Sequence, residues 1–219
     1  MKKLLVSLAA LFVLSLPAAV RADVLTFVPP DPDIDDLDHH KAYTWRVDNV
    51  DLKGKTITSA KLVFKNIRNW DDNPNRLFVH LLDNAKGSGV RSFTDDLDSD
   101  NNPGDIVDDF VNTRYHNQPS WLVANGTART ALFDREFSDS AITYTYNFEA
   151  HELAALFAYI TNGANFAIGF DPDCHFFNDW IKLEIKTDHA PVPEPATLTL
   201  LGTGLAGLYY RRRRKQRAA

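Results

Sequence analysis

AITYTYNFE, Ala141 to Glu149, places Ile142, Tyr144, Tyr146 and Phe148 on one side of an extended chain, and Thr143, Thr145 and Asn147 on the other. Large apolar residues alternating with polar ones have the two-residue period of a strand with one buried face. The same period recurs upstream. In AYTWRV, Tyr43, Trp45 and Val47 alternate with Thr44 and Arg46. After a turn at Gly54, Leu62 and Phe64 share a face of ITSAKLVFKNI, and in RLFVHLLD the residues Leu77, Val79 and Leu81 point away from Phe78 and His80. RNWDDNPN, between these two strands, has turn chemistry, because Asp71, Asp72, Asn73 and Pro74 do not continue a ladder.

Downstream, AHELAALFAYITNG is the one clear helix, with Leu153, Leu156, Phe157 and Ile160 on one face and Gly163 placed to end it. ANFAIGF and WIKLEIKT read as closing strands around the loop DPDCHFFND. From the loop-rich stretch 84–140, SWLVA and TALFDREF supply strands joined by an Asn125-Gly126 turn. Many short strands, one short helix and no β-α rhythm predict an all-β fold. The expected architecture is an antiparallel β-sandwich, jelly-roll-like, over residues 23–188. Trp45 and Trp180 are expected in its core.

The two ends read differently. Residues 1–22 carry Lys2 and Lys3, an apolar run from Leu4 to Leu16, and small residues Val20 and Ala22 at a cleavage site. This is the pattern of a secretory signal peptide. Without it and the C-terminal tail, residues 23–193 hold 15 basic and 28 acidic residues, a net charge of −13. So acidic a domain repels nucleic acid. Cys174 is the only cysteine, so no internal disulfide is available. A domain of this length buries an adequate core without one.

Carboxylates cluster in loops. Counted from Asp98, a calcium loop would use Asp98, Asp100 and Asn102 at positions 1, 3 and 5 and Asp109 at position 12. Gly104 falls one place late and the closing Glu is missing, which leaves a looser calcium loop rather than an EF-hand. His39-His40 lies beside a second cluster, Asp31 to Asp38, and DPDCHFFND brings Asp171, Asp173, Cys174, His175 and Asp179 into one connection. A Cys and a His adjacent in an extended chain point to opposite sides, so this loop is read as structural, with Asp171 or Asp173 tied to calcium or to backbone N–H groups. Serine nucleophile elbows, H-E-x-x-H and C-x-x-C are absent, and paired carboxylates are too plentiful to mark a glycosidase. The domain is expected not to be an enzyme. The alternative is a carbohydrate-binding module, with Trp70 and Trp121 as aromatic platforms for sugar.

The tail contains Gly202, Gly204 and Gly207 in the spacing G-x-G-x-x-G. No second strand and no acidic residue follow, so the dinucleotide reading fails. What stands there is tripartite: Pro193-Glu194-Pro195 in a linker at 189–195, an uncharged apolar helix over 196–210, and a basic end at 211–219 with Arg211, Arg212, Arg213 and Arg214. Fifteen helical residues span about 22 Å, short of a bilayer core of roughly 30 Å. The arginines hold the end on the cytoplasmic side.

V-P-E-P-A-T at 192–197, the small-residue-rich helix and R-R-R-R-K resemble the PEP-CTERM sorting signal. The resemblance implies an exosortase-type membrane protease that recognises Pro193-Glu194-Pro195 and removes the helix. It also implies a Gram-negative host that makes exopolysaccharide, passage through the inner membrane, and delivery to the envelope, surface or matrix. A structural or adhesive role in a biofilm, possible calcium assistance, and only transient contact with the membrane through 196–210 complete the expectation.

Overall fold

A computed structural model describes residues 22–30, 32–39, 41–94, 108–111, 123, 127–189 and 196–216. The expected signal peptide lies outside the described residues except for Ala22, where the first strand begins. The body of the chain, Arg21–Asp188, is one compact unit, and the C-terminal helix belongs to another.

Among the described residues, eleven strands run in the order β1 Ala22–Phe27, β2 Asp36–Leu37, β3 Lys41–Asp48, β4 Lys55–Asn69, β5 Arg76–Leu82, β6 Gly89–Thr94, β7 Arg129–Glu136, β8 Ile142–Asn147, β9 Asn165–Pro172, β10 Phe176–Phe177 and β11 Trp180–His189. A 3₁₀ turn, Pro32–Asp35, precedes β2, and helix α1, Ala150–Gly163, follows β8. One sheet has the order β1-β11-β4-β10-β2 with β8 also on β4; the other has the order β6-β3-β9-β5-β7. The pairs with a defined register are antiparallel.

The sheets pack face to face through the residues that the alternation placed inward. Phe64 of β4 meets Phe133 of β7 and Phe170 of β9 edge-to-face, with ring centroids 5.8 and 6.2 Å apart. Tyr43, Trp45, Val47, Leu62, Leu77, Val79 and Leu81 join the same core. In the opening stretch, Tyr144 and Tyr146 pack against that core and Phe148 is buried, while Ile142, at the strand's start, is exposed. The guanidinium of Arg135 lies 4.4 Å from the Tyr144 ring centroid and covers its outer side.

Four departures from the sequence reading have physical causes. First, β4 slips phase: Asn66 takes a left-handed backbone (φ 54°) and shifts the register against β8, so Ile67 turns inward although Phe64 already does. This is a β-bulge, which adds a residue without losing the buried face. Second, the central strands of the five-stranded sheet, β3, β9 and β5, are buried on both sides. Ala42, Leu82 and Ala167 of its outer face carry Phe110 and Val123 from the long connection. Third, Phe157 points to solvent while Glu152 and Tyr159 are buried; α1 does end at Gly163, but the left-handed cap (φ 54°) is the next residue, Ala164. The Ala164 N–H caps Ile160 O at 2.8 Å and its carbonyl accepts from Val50 N–H at 2.9 Å, which holds that backbone in place. Fourth, Trp45 is core but Trp180 is 39% exposed, with the Lys182 ammonium 5.2 Å from its ring centroid.

On β11, Glu184 is held between two cations, with Lys182 Nζ at 2.7 Å and Lys61 Nζ at 2.8 Å. The hydrogen bond from Lys182, then that from Lys61, lowers its carboxyl from 4.5 to about 2. A depressed carboxylate contributes stability in full above its unfolded value and loses it as pH falls toward the folded one. Glu184→Gln is therefore expected to be less stable than the parent at pH 7, with the gap closing between pH 4.5 and about 2. Denaturant unfolding at stepped pH reads this directly; a gap that is constant across that window would contradict it.

Candidate functional site

The turn RNWDDNPN is a knot of Asx hydrogen bonds. Buried Asn69 donates from Nδ2 to Asn73 O at 2.8 Å, and its Oδ1 accepts from Trp70 N–H at 2.8 Å and Asn75 Nδ2 at 3.0 Å. Asp71 Oδ1 accepts from Asn73 N–H at 3.0 Å. Short polar side chains that bond to nearby backbone favour such turns over a ladder. The consequence is positional: Trp70 is fixed at the end of β4, 59% exposed.

Beside it lies the short strand β10. Phe176 pairs with Asn69 of β4 on one side and Leu37 of β2 on the other. The residue before, His175, accepts from Trp70 N–H through its carbonyl at 3.1 Å. The residue after Leu37 is Asp38, whose N–H donates to Tyr43 Oη at 3.0 Å. Asn178 closes the corner, with Nδ2 donating to Ile34 O at 2.9 Å and its N–H to Asp35 O at 2.9 Å. Backbone pairing thus delivers Asp38, His39 and His175 to one place.

Their side chains converge. His39 Nδ1 is 3.2 Å from His175 Nδ1, and one of the two nitrogens must carry the proton that joins them. His175 Nε2 is 3.0 Å from Asp38 Oδ1, and His39 Nδ1 is 3.5 Å from the same oxygen. The imidazole rings stand edge-to-face with centroids 4.6 Å apart. Trp70 meets the His175 ring at 6.1 Å, and Phe177 lies parallel to it at 6.3 Å. Lys41 Nζ takes the second carboxylate oxygen of Asp38 at 3.2 Å. All three residues are half-buried, and one potential ligand atom from each lies within 4.8 Å of the others.

The residues singled out from sequence fare unevenly. Trp70 is exposed beside the cluster. Trp121, Asp98, Asp100, Asn102 and His40 lie outside the described residues. Asp109 is buried, and its N–H donates to Asp171 Oδ2 at 2.6 Å. Asp173 Oδ1 accepts from Arg76 N–H, so both loop aspartates bind backbone N–H groups, one of the two roles expected of them. Cys174 is half-buried. The meeting of His39 with His175 spans 136 residues, and neither D-H-H nor C-H alone signals it. Only the pairing of β2 with β10 does.

In the tail, helix α2 runs from Ala196 to Gln216, past the expected stop at Tyr210 and through the four arginines. Cations in the last turns of a helix complement its dipole, which favours continuation. Leu201, Leu205, Leu208, Tyr209 and Tyr210 are exposed, and a Cβ on Gly202, Gly204 or Gly207 would meet nothing. The glycines make no close approach within the helix unit, unlike those of a phosphate-binding turn. No helix among the described residues is long and apolar enough to cross a membrane.

Residues 191–214 match the family model of the PEP-CTERM protein-sorting motif. The chain carries a PEP-CTERM tail. Pro193, Glu194, Pro195 and Arg211 to Arg214 fall inside the match. The motif implies export toward the cell envelope and an exosortase as processing partner. None of the curated proteins and none of the solved structures compared with the chain matches it.

Proposed function

We propose that this chain is a structural or adhesive protein of the cell surface or exopolysaccharide matrix, delivered there by exosortase cleavage at Pro193-Glu194-Pro195. The PEP-CTERM match at 191–214 carries the reading. The body is a non-enzymatic jelly roll. Leaving out β6 and the short β2–β10 ribbon, the strands give β1-β11-β4-β8 and β3-β9-β5-β7, and the eight switch sheets at every step but β5 to β7, as two interlocked Greek keys do. Its charge of −13 over residues 23–193 supports calcium as the bridge between acidic loops, Asp98, Asp100, Asn102 and Asp109 among them, or from those loops to anionic polysaccharide. The membrane is touched in transit, through 196–210.

Replacing Pro193-Glu194-Pro195 by alanines in the host is expected to leave an uncleaved chain in the membrane fraction, while the parent appears shortened at the surface or in the matrix. Identical processing of both would overturn the sorting reading. A melting temperature unmoved by millimolar calcium would remove calcium from it. The second reading, a sugar-binding module, rests on the exposure of Trp70. It requires Trp70→Ala, and Trp121→Ala likewise, to reduce retention on host exopolysaccharide without lowering stability.

A further inference from the structure

We propose that Asp38, His39 and His175 form a divalent transition-metal site of the zinc class, distinct from any calcium loop and independent of how the chain is sorted. The donor set decides the metal class. Two imidazoles and one carboxylate suit zinc, copper, nickel or ferrous iron, whereas calcium and magnesium take oxygen ligands throughout.

The spacing fits. Ligands about 2.0–2.1 Å from a tetrahedral ion stand about 3.3–3.4 Å from one another. The separations here are 3.0 Å from Asp38 Oδ1 to His175 Nε2, 3.2 Å between the two Nδ1 atoms and 3.5 Å from Asp38 Oδ1 to His39 Nδ1. His175 turns Nε2 to Asp38 and Nδ1 to His39, so loading requires its ring to rotate until one nitrogen addresses the ion. The ion then replaces the proton shared between the imidazoles.

The backbone around the cluster is already built. Leu37 and Phe176 pair in β2 and β10, Trp70 N–H holds the His175 carbonyl, and Tyr43 Oη holds Asp38 N–H. Lys41 occupies Asp38 Oδ2 and leaves Oδ1 toward the histidines. The backbone needs no further ordering, so the turn of the His175 ring is the adjustment that binding requires. Three protein ligands leave a fourth position for water or an exogenous donor, as in open zinc sites. Bound metal would also clip the segment before β3 to the loop before β10, sequence-distant parts of one corner, and so raise the melting temperature.

The test uses the purified full chain without a polyhistidine tag, titrated calorimetrically with zinc(II) and spectroscopically with cobalt(II). One equivalent of zinc is expected, with a visible cobalt d–d spectrum and a rise in melting temperature. His39→Ala and His175→Ala are each expected to weaken zinc binding at least about 100-fold, since even outer-shell partners of such sites contribute 10–100-fold. His151→Ala, which removes an exposed histidine paired only with Glu149, should change nothing. Asp38→Asn keeps the shape of the corner and should weaken zinc while lowering the metal-free melt only slightly, since its pair with Lys41 is part-exposed, so a misfolded histidine variant does not blunt the test. Absence of zinc binding in the parent, or unchanged binding in a His39→Ala/His175→Ala double variant, overturns the site. Calcium titration of the same proteins separates this result from the calcium reading, because the histidine variants leave any calcium response intact.

Discussion

Gly169→Ala is expected to cost the domain about 3 kcal/mol, at the upper end of what one added core methylene does. On strand propensity alone the sign would be opposite, since glycine in a strand interior is worth roughly 0.5–1 kcal/mol less than alanine. The contact distances decide it. A Cβ on Gly169 would stand 2.5 Å from Phe110 Cζ, 2.7 Å from Cε1 and 2.9 Å from Cε2. The ring has no free side to retreat to: Phe110 is fully buried, set in a small-residue dent with Ala42, Ala85 and Ala167, and tilted over His80 at 5.1 Å.

Lifting Phe110 would also strain the hydrogen bonds of its neighbours. His80 Nε2 bonds both carboxylate oxygens of Asp108, at 2.9 and 2.8 Å, and Asp109 N–H donates to Asp171. Phe110→Ala alone should cost about 3–5 kcal/mol through lost burial and a cavity. Because the two substitutions act on one contact, the double variant should be better than their sum by about 1 kcal/mol or more. Chemical denaturation of the four proteins closes the cycle. A Gly169→Ala protein within about 0.5 kcal/mol of the parent would show that the turn 108–111 does not dock as described.

That dock explains what in the sequence was readable and what was not. Strands with a single buried face, such as Ile142–Asn147 and β5, declare themselves by alternation. β3 also reads correctly on its inner face, but Ala42 and Thr44 on the other side are buried too, under residues that no periodicity connects to it. β1 escapes because ADVLTF abuts the apparent leader, and β6 because GVRSFT lies in a loop-rich stretch and has a largely exposed face. β10 has two residues, too few for any period, yet it is the element that brings His175 to Asp38 and His39. The tail is legible for the opposite reason. A sorting signal is read in linear order, so motif, apolar helix and arginines must stand consecutively, whereas the corner cluster exists only after the sheet has formed.

Glu152→Ala should be among the most damaging single changes in the domain, costing about 3–4 kcal/mol. Glutamate in the first turn of a helix is ordinarily a surface device that favours the helix dipole by a few tenths of a kcal/mol. Here it is 1% exposed. Its Oε2 accepts from Glu149 N–H at 2.6 Å, completing the capping arrangement of α1, and its Oε1 accepts from Tyr146 Oη at 2.6 Å, joining the helix to β8. Truncation removes two hydrogen bonds to a charged acceptor at once, each worth about 1.5–3 kcal/mol. Glu152→Gln keeps the volume and one acceptor, so about 1–2 kcal/mol is expected for it. Burial first, then the bond to Glu152, raises the Tyr146 hydroxyl well above its usual 10. The folded protein therefore keeps that proton at pH values where the unfolded chain releases it, and stability falls as pH rises above 10. Tyr146→Phe should flatten this alkaline decline, and Glu152→Gln should lessen it more than substitutions at exposed Glu149 do, whose charge is a smaller cause of the shift. If Glu152→Ala melts with the parent, or Tyr146→Phe leaves the alkaline limb as steep as before, the carboxylate does not hold α1 to β8.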